Sequence, residues 1–201
     1  MSIRKVYVVT RNPGKLREIK SILGQYGLAV EPCEAEKVEI QSDSLEEIVR
    51  FAAAQVAGSL PEPFVVEDSG LFIKHLNGFP GPYSSYVYRT IGCEGILKLM
   101  ENVNERRAFF LSVAALCLGG EIRVFTGKVE GTISREKRGS QGFGFDPIFI
   151  PSNCEKTFAE MNLEEKCRIS HRAKSFRAIA EFLLSYCKNT TNINAKGGQG
   201  L

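Results

Sequence analysis

Residues 6–15 read VYVVTRNPGK, and this stretch indicates how the first part of the chain is built. The first four residues are short, apolar and rich in β-branched side chains, which is typical of a buried strand. The segment from Thr10 to Lys15 interrupts the apolar run, and Pro13 suits the first turn of a helix, where its missing N–H costs nothing. Residues 16–23 then carry apolar side chains at helical spacing. The stretch therefore predicts a strand, a short loop and a helix.

The alternation of strands and helices continues beyond this unit. Val38–Ile40 is a short extended segment, and Asp43 or Ser44 is the expected cap of the next helix, since Ser44 stands three residues before Glu47 in capping-box spacing. We therefore predict a second helix, whose apolar face runs over residues 45–56. An apolar strand, Phe64–Val66, follows and leads directly into a pair of carboxylates.

The second half contains a predicted hairpin. Residues 75–88 form a loop rich in Gly, Pro and Tyr, and residues 91–100 are predicted to be helical. Two apolar strands, 109–118 and 122–129, are joined at Gly119-Gly120, a pair that suits a type I′ turn. Because the hairpin is antiparallel and the earlier alternation is typical of parallel strands, the predicted fold class is α/β with a mixed sheet.

The chain is predicted to end with a glycine-rich loop, a strand and a long helix. The loop covers residues 138–146, the strand residues 147–150, and the helix runs from about Ser170 to Cys187. Residues 189–201 are rich in Asn, Thr and Gly, and we predict that they are disordered. No repeat or linker divides the rest, so residues 1–188 are expected to form one α/β domain or two closely packed lobes.

The overall composition excludes several classes of partner. The chain has 201 residues, a formal net charge of +3 and intermixed acidic and basic side chains, which give no indication of a nucleic-acid or membrane partner. No apolar run reaches the roughly 20 residues that span a bilayer, and the N-terminus lacks the apolar core of a signal peptide. The six cysteines form no CxxC pair, so we expect reduced thiols and a cytoplasmic protein.

The first candidate site is the loop from Thr10 to Lys15. Backbone N–H groups at a helix start and the helix dipole favour an anion, and Lys15 adds a full positive charge. The spacing is not that of a Walker A loop. The loop is thus a candidate phosphate cradle, and the alternative is a plain turn, because Asn, Pro and Gly are common wherever a chain turns.

The second candidate site is the segment Glu67-Asp68-Ser69-Gly70, which directly follows a strand. Two adjacent carboxylates are unusual there because burying unpaired charge is costly. A magnesium ion, which prefers oxygen ligands, would remove that cost. The alternative is a turn in which Asp68 acts as a local cap. Glu39 lies between two apolar residues, and its pattern fits a metal ligand and a solvated side chain equally well.

Two further segments carry candidate binding residues. In residues 142–147, GFGFDP, glycines flank an aromatic residue, so a flat ligand could stack on the ring. The alternative is a hairpin end with a core Phe.

Lys166, His171 and Arg172 cluster near the start of the last helix, where basic groups oppose the helix dipole and indicate function. The alternative is a basic surface patch with Ser170 as N-cap. No Ser, Cys or Thr nucleophile can be paired with a base, which favours a metal-assisted water.

These segments, in this order, resemble the inosine triphosphate pyrophosphatase family, which acts on noncanonical purine nucleotides. The matching stretches are TRNPGK at 10–15, EDSGL at 67–71, NGFPGPYSS at 77–85, GFGFDPIF at 142–149, Lys166, and SHR at 170–172. The resemblance is to archaeal members in particular. It implies a two-lobed α/β fold with a long central mixed sheet flanked by helices and a nucleotide cleft between the lobes. It also implies a homodimer and Mg²⁺-dependent hydrolysis of ITP, dITP or XTP to the monophosphate and pyrophosphate.

The resemblance also assigns roles to individual residues. It implies that Asp68 is the catalytic proton acceptor and that Glu39 and Asp68 hold magnesium. The residues implied in substrate binding are Thr10, Arg11, Asn12, Pro13, Gly14, Lys15, Ser69, Phe143, Gly144, Phe145, Asp146, Lys166, His171 and Arg172. Arg11 departs from the family, which usually has Gly at this position, so its role in the loop is open.

The base preference can be argued from hydrogen-bond donors. The N–H groups of His171 and Arg172 suit the 6-oxo group of hypoxanthine or xanthine and would oppose the amino group of adenine. Rejection of GTP requires another explanation. One alternative function is a pyrophosphatase for modified pyrimidine nucleotides. The other is a nucleotide-binding module without catalysis, against which the presence of both Glu39 and Asp68 argues.

Overall fold

The computed structural model describes residues 3–35, 38 and 40–196, with side chains described up to residue 189. Its strands are β1 (Lys5–Val9), β2 (Ala29–Cys33), β3 (Phe64–Ile73), β4 (Pro80–Gly81), β5 (Arg107–Leu118), β6 (Glu121–Ile133) and β7 (Phe149–Pro151). They form a seven-stranded sheet in the order β2-β1-β3-β5-β6-β7, with β4 paired to β3. The pairs β1–β2 and β1–β3 are parallel, and the remaining pairs are antiparallel.

Helices cover both faces of this sheet. The α-helices are α1 (Pro13–Gly24), α2 (Leu45–Val56), α3 (Ser84–Thr90), α4 (Gly92–Leu99), α5 (Leu163–Ile169) and α6 (His171–Lys196). Helices α1 and α6 pack on one face, where Val65 of β3 is buried, and α2 packs on the other, where Phe64 and Val66 are buried. Alternate β3 residues therefore enter two different cores, which explains why the strand is apolar without a break. Among the helices described, none combines the length and apolar character needed to cross a bilayer.

The strands differ in length, and this difference creates a step in the sheet. β1 has 5 residues, whereas β3 has 10, β5 has 12 and β6 has 13. Beyond the end of β1, the long strands carry a third core with α3, α4 and β7. This distal core is centred on Ile73, Ile96, Phe110 and Phe149. The molecule thus has two halves that share the three long strands.

The structure confirms the mixed sheet, the first two helices and the hairpin. Ser44 caps α2 through its side chain, which accepts a hydrogen bond from the Glu47 N–H. Gly119 and Gly120 have φ angles of 61° and 76°, as a type I′ turn requires. These two residues alone form the turn between β5 and β6.

Two expectations for the middle of the chain are corrected. The acidic pair does not end its strand, because β3 continues through Glu67 and Asp68 to Ile73, and β5 pairs with it throughout. Residues 75–88 are also not a single loop. They contain part of a 3₁₀ turn (Lys74–Leu76), strand β4 and the start of α3, because Ser84 and Val87 become buried on the distal core.

Other differences occur at the edges of the fold. β2 was not predicted because its residues are mostly exposed and include Pro32, which an edge strand tolerates. The described residues 38 and 40 belong to no strand. The predicted strand at residues 147–150 begins two residues later, since a 3₁₀ turn occupies residues 146–148. Helix α6 extends to Lys196, past its predicted end at Cys187, and residues 197–201 lie outside the described part, so the disorder of residues 189–201 stays a prediction.

Candidate active site

A cavity of about 1150 Å³ opens at the step where β1 ends and β3 continues. Both halves of the molecule contribute to its walls. The predicted site residues that line it are Thr10, Arg11, Asn12, Lys15, Asp68, Ser69, Phe143, Gly144, Phe145, Asp146, Lys166, His171 and Arg172. Pro13 and Gly14 are not in the lining, and Glu39 lies outside the described residues. Segments that are more than 150 residues apart in the chain therefore meet around one space.

The loop between β1 and α1 is held by its own side chains. Thr10 Oγ1 accepts a hydrogen bond from the Asn12 N–H at 3.1 Å, and Asn12 Oδ1 accepts one from the Lys15 N–H at 3.1 Å. Asn12 is therefore the N-cap of α1, and Pro13 lies in its first turn as predicted. The helix begins at the cavity wall, where its dipole favours an anion.

Lys15 extends from α1 to the middle of β3. Its Nζ lies 3.1 Å from Asp68 Oδ1 and 3.1 Å from Glu67 Oε2, and it donates a hydrogen bond to the Glu67 carbonyl at 3.4 Å. Because β1 pairs with β3 only as far as Val66, the ammonium group lies on the strand edge that β1 leaves open. Burial alone would lower the pKa of Lys15, but the two carboxylates outweigh burial and raise it.

The two neighbouring carboxylates differ in their surroundings. The side chain of Glu67 is 2% exposed, and that of Asp68 is 29% exposed. Glu67 accepts a hydrogen bond from Ser112 Oγ at 2.8 Å and lies 3.2 Å from Arg172 Nη2. Burial acts to raise the pKa of Glu67, but Arg172 and Lys15 outweigh it and lower the pKa to about 2. Glu67 is thus a buried structural anion, whereas Asp68 is accessible from the cavity.

Glu18 is a further member of the site that the sequence analysis missed. It is buried on α1, and its carboxylate accepts hydrogen bonds from Lys166 Nζ at 2.7 Å and Arg172 Nη1 at 2.5 Å. Burial acts to raise the pKa of Glu18, but these two cations outweigh it and lower the pKa. A signal was present in the sequence, because positions 15, 18, 19 and 22 share one helical face. A carboxylate on that apolar face needs a cationic partner.

Lys166 and Arg172, two of the three basic residues predicted near the start of the last helix, are therefore already paired with carboxylates. Arg172 is 1% exposed, and its Nη2 also donates to Ser69 Oγ at 2.7 Å. Its Nε has no hydrogen-bond partner within the described residues. Lys166 Nζ binds Asp146 Oδ2 as well as Glu18. These bonds tie the start of α6 and the end of α5 to β3, α1 and the glycine-rich loop.

His171 forms part of the cavity floor as a neutral ring. It is 3% exposed and stacks on Phe110, with ring centroids 4.6 Å apart and planes 10° apart. Burial lowers the pKa of His171 well below its ordinary value, and the charges of Arg172, Lys166 and Lys15 lower it further. The Nδ1 atom has no hydrogen-bond partner in the described part of the chain. A polar ligand group in the cavity could supply one.

The glycine-rich loop provides an aromatic wall. The Phe143 ring is half-buried and lies 5.0 Å from Lys166 Nζ and 5.5 Å from Arg172 Cζ, measured to the ring centroid. A Cβ atom on Gly14 would lie 2.5 Å from Phe143 Cδ1, so this ring packs directly on the start of α1. Asp146 Oδ2 accepts a hydrogen bond from the Phe143 N–H at 2.8 Å, which fixes the loop. Gly14 thus contributes to the site from behind the cavity lining.

The buried Phe145 serves a different purpose from Phe143. Its ring meets Tyr88 of α3 edge-on, with centroids 5.4 Å apart, and belongs to the distal core. Tyr88 and Arg89 of α3 also line the cavity, as does Phe110 of β5. The sequence analysis did not select Tyr88, because residues 75–88 were interpreted as a loop, and it interpreted Phe110 only as part of an apolar strand.

The chain is similar to known proteins over most of its length. A family model described as the Ham1 family matches residues 6–182. A dITP/XTP pyrophosphatase of Pyrococcus horikoshii is 54% identical over 179 residues, which cover 89% of this chain and 96% of the relative. A dITP/XTP pyrophosphatase of Ignicoccus hospitalis is 54% identical over 185 residues, covering 91% and 98%.

Solved structures show the same fold. The Ham1 protein of Staphylococcus aureus superposes with a TM-score of 0.77 at 30% identity, covering 90% of this chain and 99% of that one. A HAM1 protein of Coxiella burnetii superposes with a TM-score of 0.78 at 28% identity, covering 90% and 98%. The matched residues include β1, the acidic pair, the glycine-rich loop and the start of α6. The chain therefore belongs to the Ham1 family.

Proposed function

We propose that this protein hydrolyses noncanonical purine nucleoside triphosphates, namely ITP, dITP and XTP, to the monophosphate and pyrophosphate. The observation that carries the proposal is the meeting of Lys15, Asp68 and the Phe143 loop around one cavity at a helix N-terminus. Relatives that are 54% identical over nearly their whole length are dITP/XTP pyrophosphatases. Removing such nucleotides would keep the nucleotide pool free of miscoding bases.

The described residues fit a site in which Mg²⁺ is bound jointly by the protein and by the phosphates of the substrate. They contain no group of three His, Cys, Asp or Glu side chains that could bind a metal alone. Mg²⁺ usually keeps several waters and binds through one or two carboxylates plus substrate phosphates, so a complete protein cage is not required. Asp68 is the accessible carboxylate of the acidic pair. We propose that Asp68 and Glu39 hold Mg²⁺, which would neutralise phosphate oxygens during hydrolysis.

The remaining chemistry can be derived from the residues of the chain. Asp68 Oδ1 accepts hydrogen bonds from the Ser69 N–H at 2.8 Å and from Lys15 Nζ at 3.1 Å, so its carboxylate is fixed in orientation. An oriented carboxylate at the cavity wall can accept the proton of an attacking water. Lys15 and the first turn of α1 would hold the phosphates in line with that water. These roles make Asp68 the catalytic residue of the proposal.

The part of the cavity lined by Phe143 and the start of α6 suits a purine base. The half-buried Phe143 ring offers a stacking surface. Because the Arg172 Nη atoms are occupied by Glu18, Glu67 and Ser69, its Nε and the backbone N–H groups of His171 and Arg172 remain as donors within the described residues. The next N–H of α6, that of Ala173, already donates to Ser170 Oγ. These N–H groups can donate hydrogen bonds to a 6-oxo group, whereas the adenine amino group would find no acceptor among them. The proposed base preference therefore rests on the start of α6.

A pyrophosphate-release assay over a nucleotide panel tests this proposal. We expect Mg²⁺-dependent release of pyrophosphate from ITP, dITP and XTP, and release that is weaker by orders of magnitude from ATP and dTTP. Activity on modified pyrimidine triphosphates alone would favour the alternative pyrophosphatase. Binding of ITP without release of pyrophosphate under any condition would leave only a binding module. The homodimer implied by the resemblance and the cytoplasmic location inferred from the cysteines stay predictions.

A further inference from the structure

The cationic side chains that line the cavity fall into two groups. Lys15, Lys166 and Arg172 each lie in ion pairs with buried or half-buried carboxylates. Arg11 and Arg89 also line the cavity, are exposed, and have no ion pair or side-chain hydrogen bond within the residues described. The charge of the first group is already balanced inside the protein, whereas that of the second group is available to a ligand.

A charge count shows why the second group matters. The inner network contains three cations, Lys15, Lys166 and Arg172, and four carboxylates, those of Glu18, Glu67, Asp68 and Asp146. When all are ionised, the network carries one net negative charge. Glu34, which also lines the cavity, adds another negative charge. His171 contributes none, because its pKa is held well below the ordinary value by burial.

The net charge of this inner network does not attract a triphosphate, which carries several negative charges at neutral pH, although Lys15 and the N–H groups at the start of α1 can still donate hydrogen bonds to phosphate oxygens. A magnesium ion adds two positive charges, and these only begin to offset the anions of the site and of the ligand. Further cations must therefore face the phosphates. Arg11 and Arg89 are the cavity-lining cations whose charge is not compensated by described carboxylates.

The two arginines belong to different halves of the molecule. Arg11 lies between Thr10 and Asn12, in the loop where β1 ends and α1 begins. Arg89 lies in the last turn of α3, one turn beyond Ser85, which also lines the cavity, and α3 packs on the distal core. A ligand that bridges the two halves would meet one guanidinium from each side, and a guanidinium binds phosphate oxygens in pairs.

We infer that Arg11 and Arg89 bind the outer phosphates of the substrate from opposite walls of the cavity. The inference rests on the proposed function and extends it, because it assigns discrimination of triphosphates from shorter phosphate chains to two residues at the cavity mouth. Arg11 then has a function that the glycine usually found at this position in the family cannot supply.

Binding of inorganic tripolyphosphate tests the inference without turnover. Arg11→Gln and Arg89→Gln should each weaken tripolyphosphate binding about tenfold in calorimetry, which corresponds to about 1.4 kcal/mol, because each loses a charge-assisted hydrogen bond to phosphate. Each change should also reduce the dependence of affinity on salt. Arg11→Lys and Arg89→Lys should restore part of the affinity. Arg17→Gln is the matched control, because Arg17 is exposed on α1 but does not line the cavity.

Kinetics with ITP provide a second readout. Each Gln variant should raise KM for ITP about tenfold with a much smaller change in kcat. In the double variant the two increases in KM should combine. The melting temperature of each variant should stay near that of the unmodified protein. Unchanged tripolyphosphate affinity in both variants would overturn the inference, and an effect of only one arginine would overturn the two-sided arrangement. If the unmodified protein releases no pyrophosphate from any nucleotide, the proposed function fails independently of the tripolyphosphate result.

Discussion

At the residue scale, Glu67 and Asp68 are neighbours on β3 but have different functions. Glu67 is buried and neutralised by Lys15 and Arg172, and Asp68 is open to the cavity. Successive side chains of a strand point to opposite faces, and this alternation gives the two carboxylates different surroundings. One sequence motif therefore contains both a structural anion and a candidate catalyst.

Substitution of each carboxylate should separate these tasks. Asp68→Asn should lower kcat for ITP by about 10²–10⁴-fold through loss of the proton acceptor, with little change in the melting temperature. Glu67→Gln should lower the free energy of unfolding by about 3–5 kcal/mol, because it leaves Arg172 and Lys15 short of a buried partner. Steady-state kinetics and urea denaturation measure the two effects. Full activity in Asp68→Asn would remove Asp68 from the mechanism.

The protonation of His171 predicts a pH dependence of stability. The folded pKa is well below 6.5 because of burial and nearby cations, so the unfolded chain binds a proton at mildly acidic pH and the folded chain does not. The contribution of neutral His171 to the free energy of unfolding is complete above about pH 6.5. It declines as pH falls, by up to about 1.4 kcal/mol per pH unit. Urea denaturation between pH 5 and 7 should show this slope, and it should be reduced in His171→Gln.

The second histidine provides the control for this experiment. His75 is exposed, so His75→Gln should keep the slope of the unmodified protein. The carboxylates with lowered pKa values, Glu18 and Glu67, lose their contribution only at lower pH, outside this window. A slope that is identical in all three proteins would contradict the neutral state assigned to His171.

At the scale of elements, the predictable parts were those with strong local signals. The capping box before α2 and the Gly119-Gly120 turn are encoded by a few adjacent residues. α5 also begins with a capping box, Asn162 with Glu165, but its seven residues are too polar and few to show an apolar face. Glu18 could not be assigned a role, because its cationic partners lie about 150 residues away in the chain.

The start of α1 should be sensitive to a single methyl group. In Gly14→Ala the new Cβ would lie 2.5 Å from Phe143 Cδ1, so the ring must move, and overpacking of this kind costs about 1–3 kcal/mol. We expect KM for ITP to rise about tenfold. Gly24→Ala is the control at the other end of the same helix, where a Cβ meets nothing within 4 Å. It should leave KM unchanged and, through helix propensity, maintain or raise the melting temperature. Equal KM values in the two variants would contradict the packing role of Gly14.

At the scale of the whole molecule, overall charge and local charge differ in sign. The chain has a formal net charge of +3, yet the inner network of the cavity has more carboxylates than cations. Composition therefore could not reveal the charge of the site, which depends on how distant segments pack. The fold class and the family motifs were predictable, whereas the pairing of Lys166 and Arg172 with Glu18 required the structure.

The three long strands give the cavity a particular mechanical character. β3, β5 and β6 run without interruption from one half to the other and are hydrogen-bonded along their length. Since the halves share these ladders instead of a flexible connection, widening or narrowing the cavity requires twisting or bending of the sheet itself. Such deformation is resisted by every ladder bond it strains, so the stiffness of the sheet limits how far the spacing between the two walls can change.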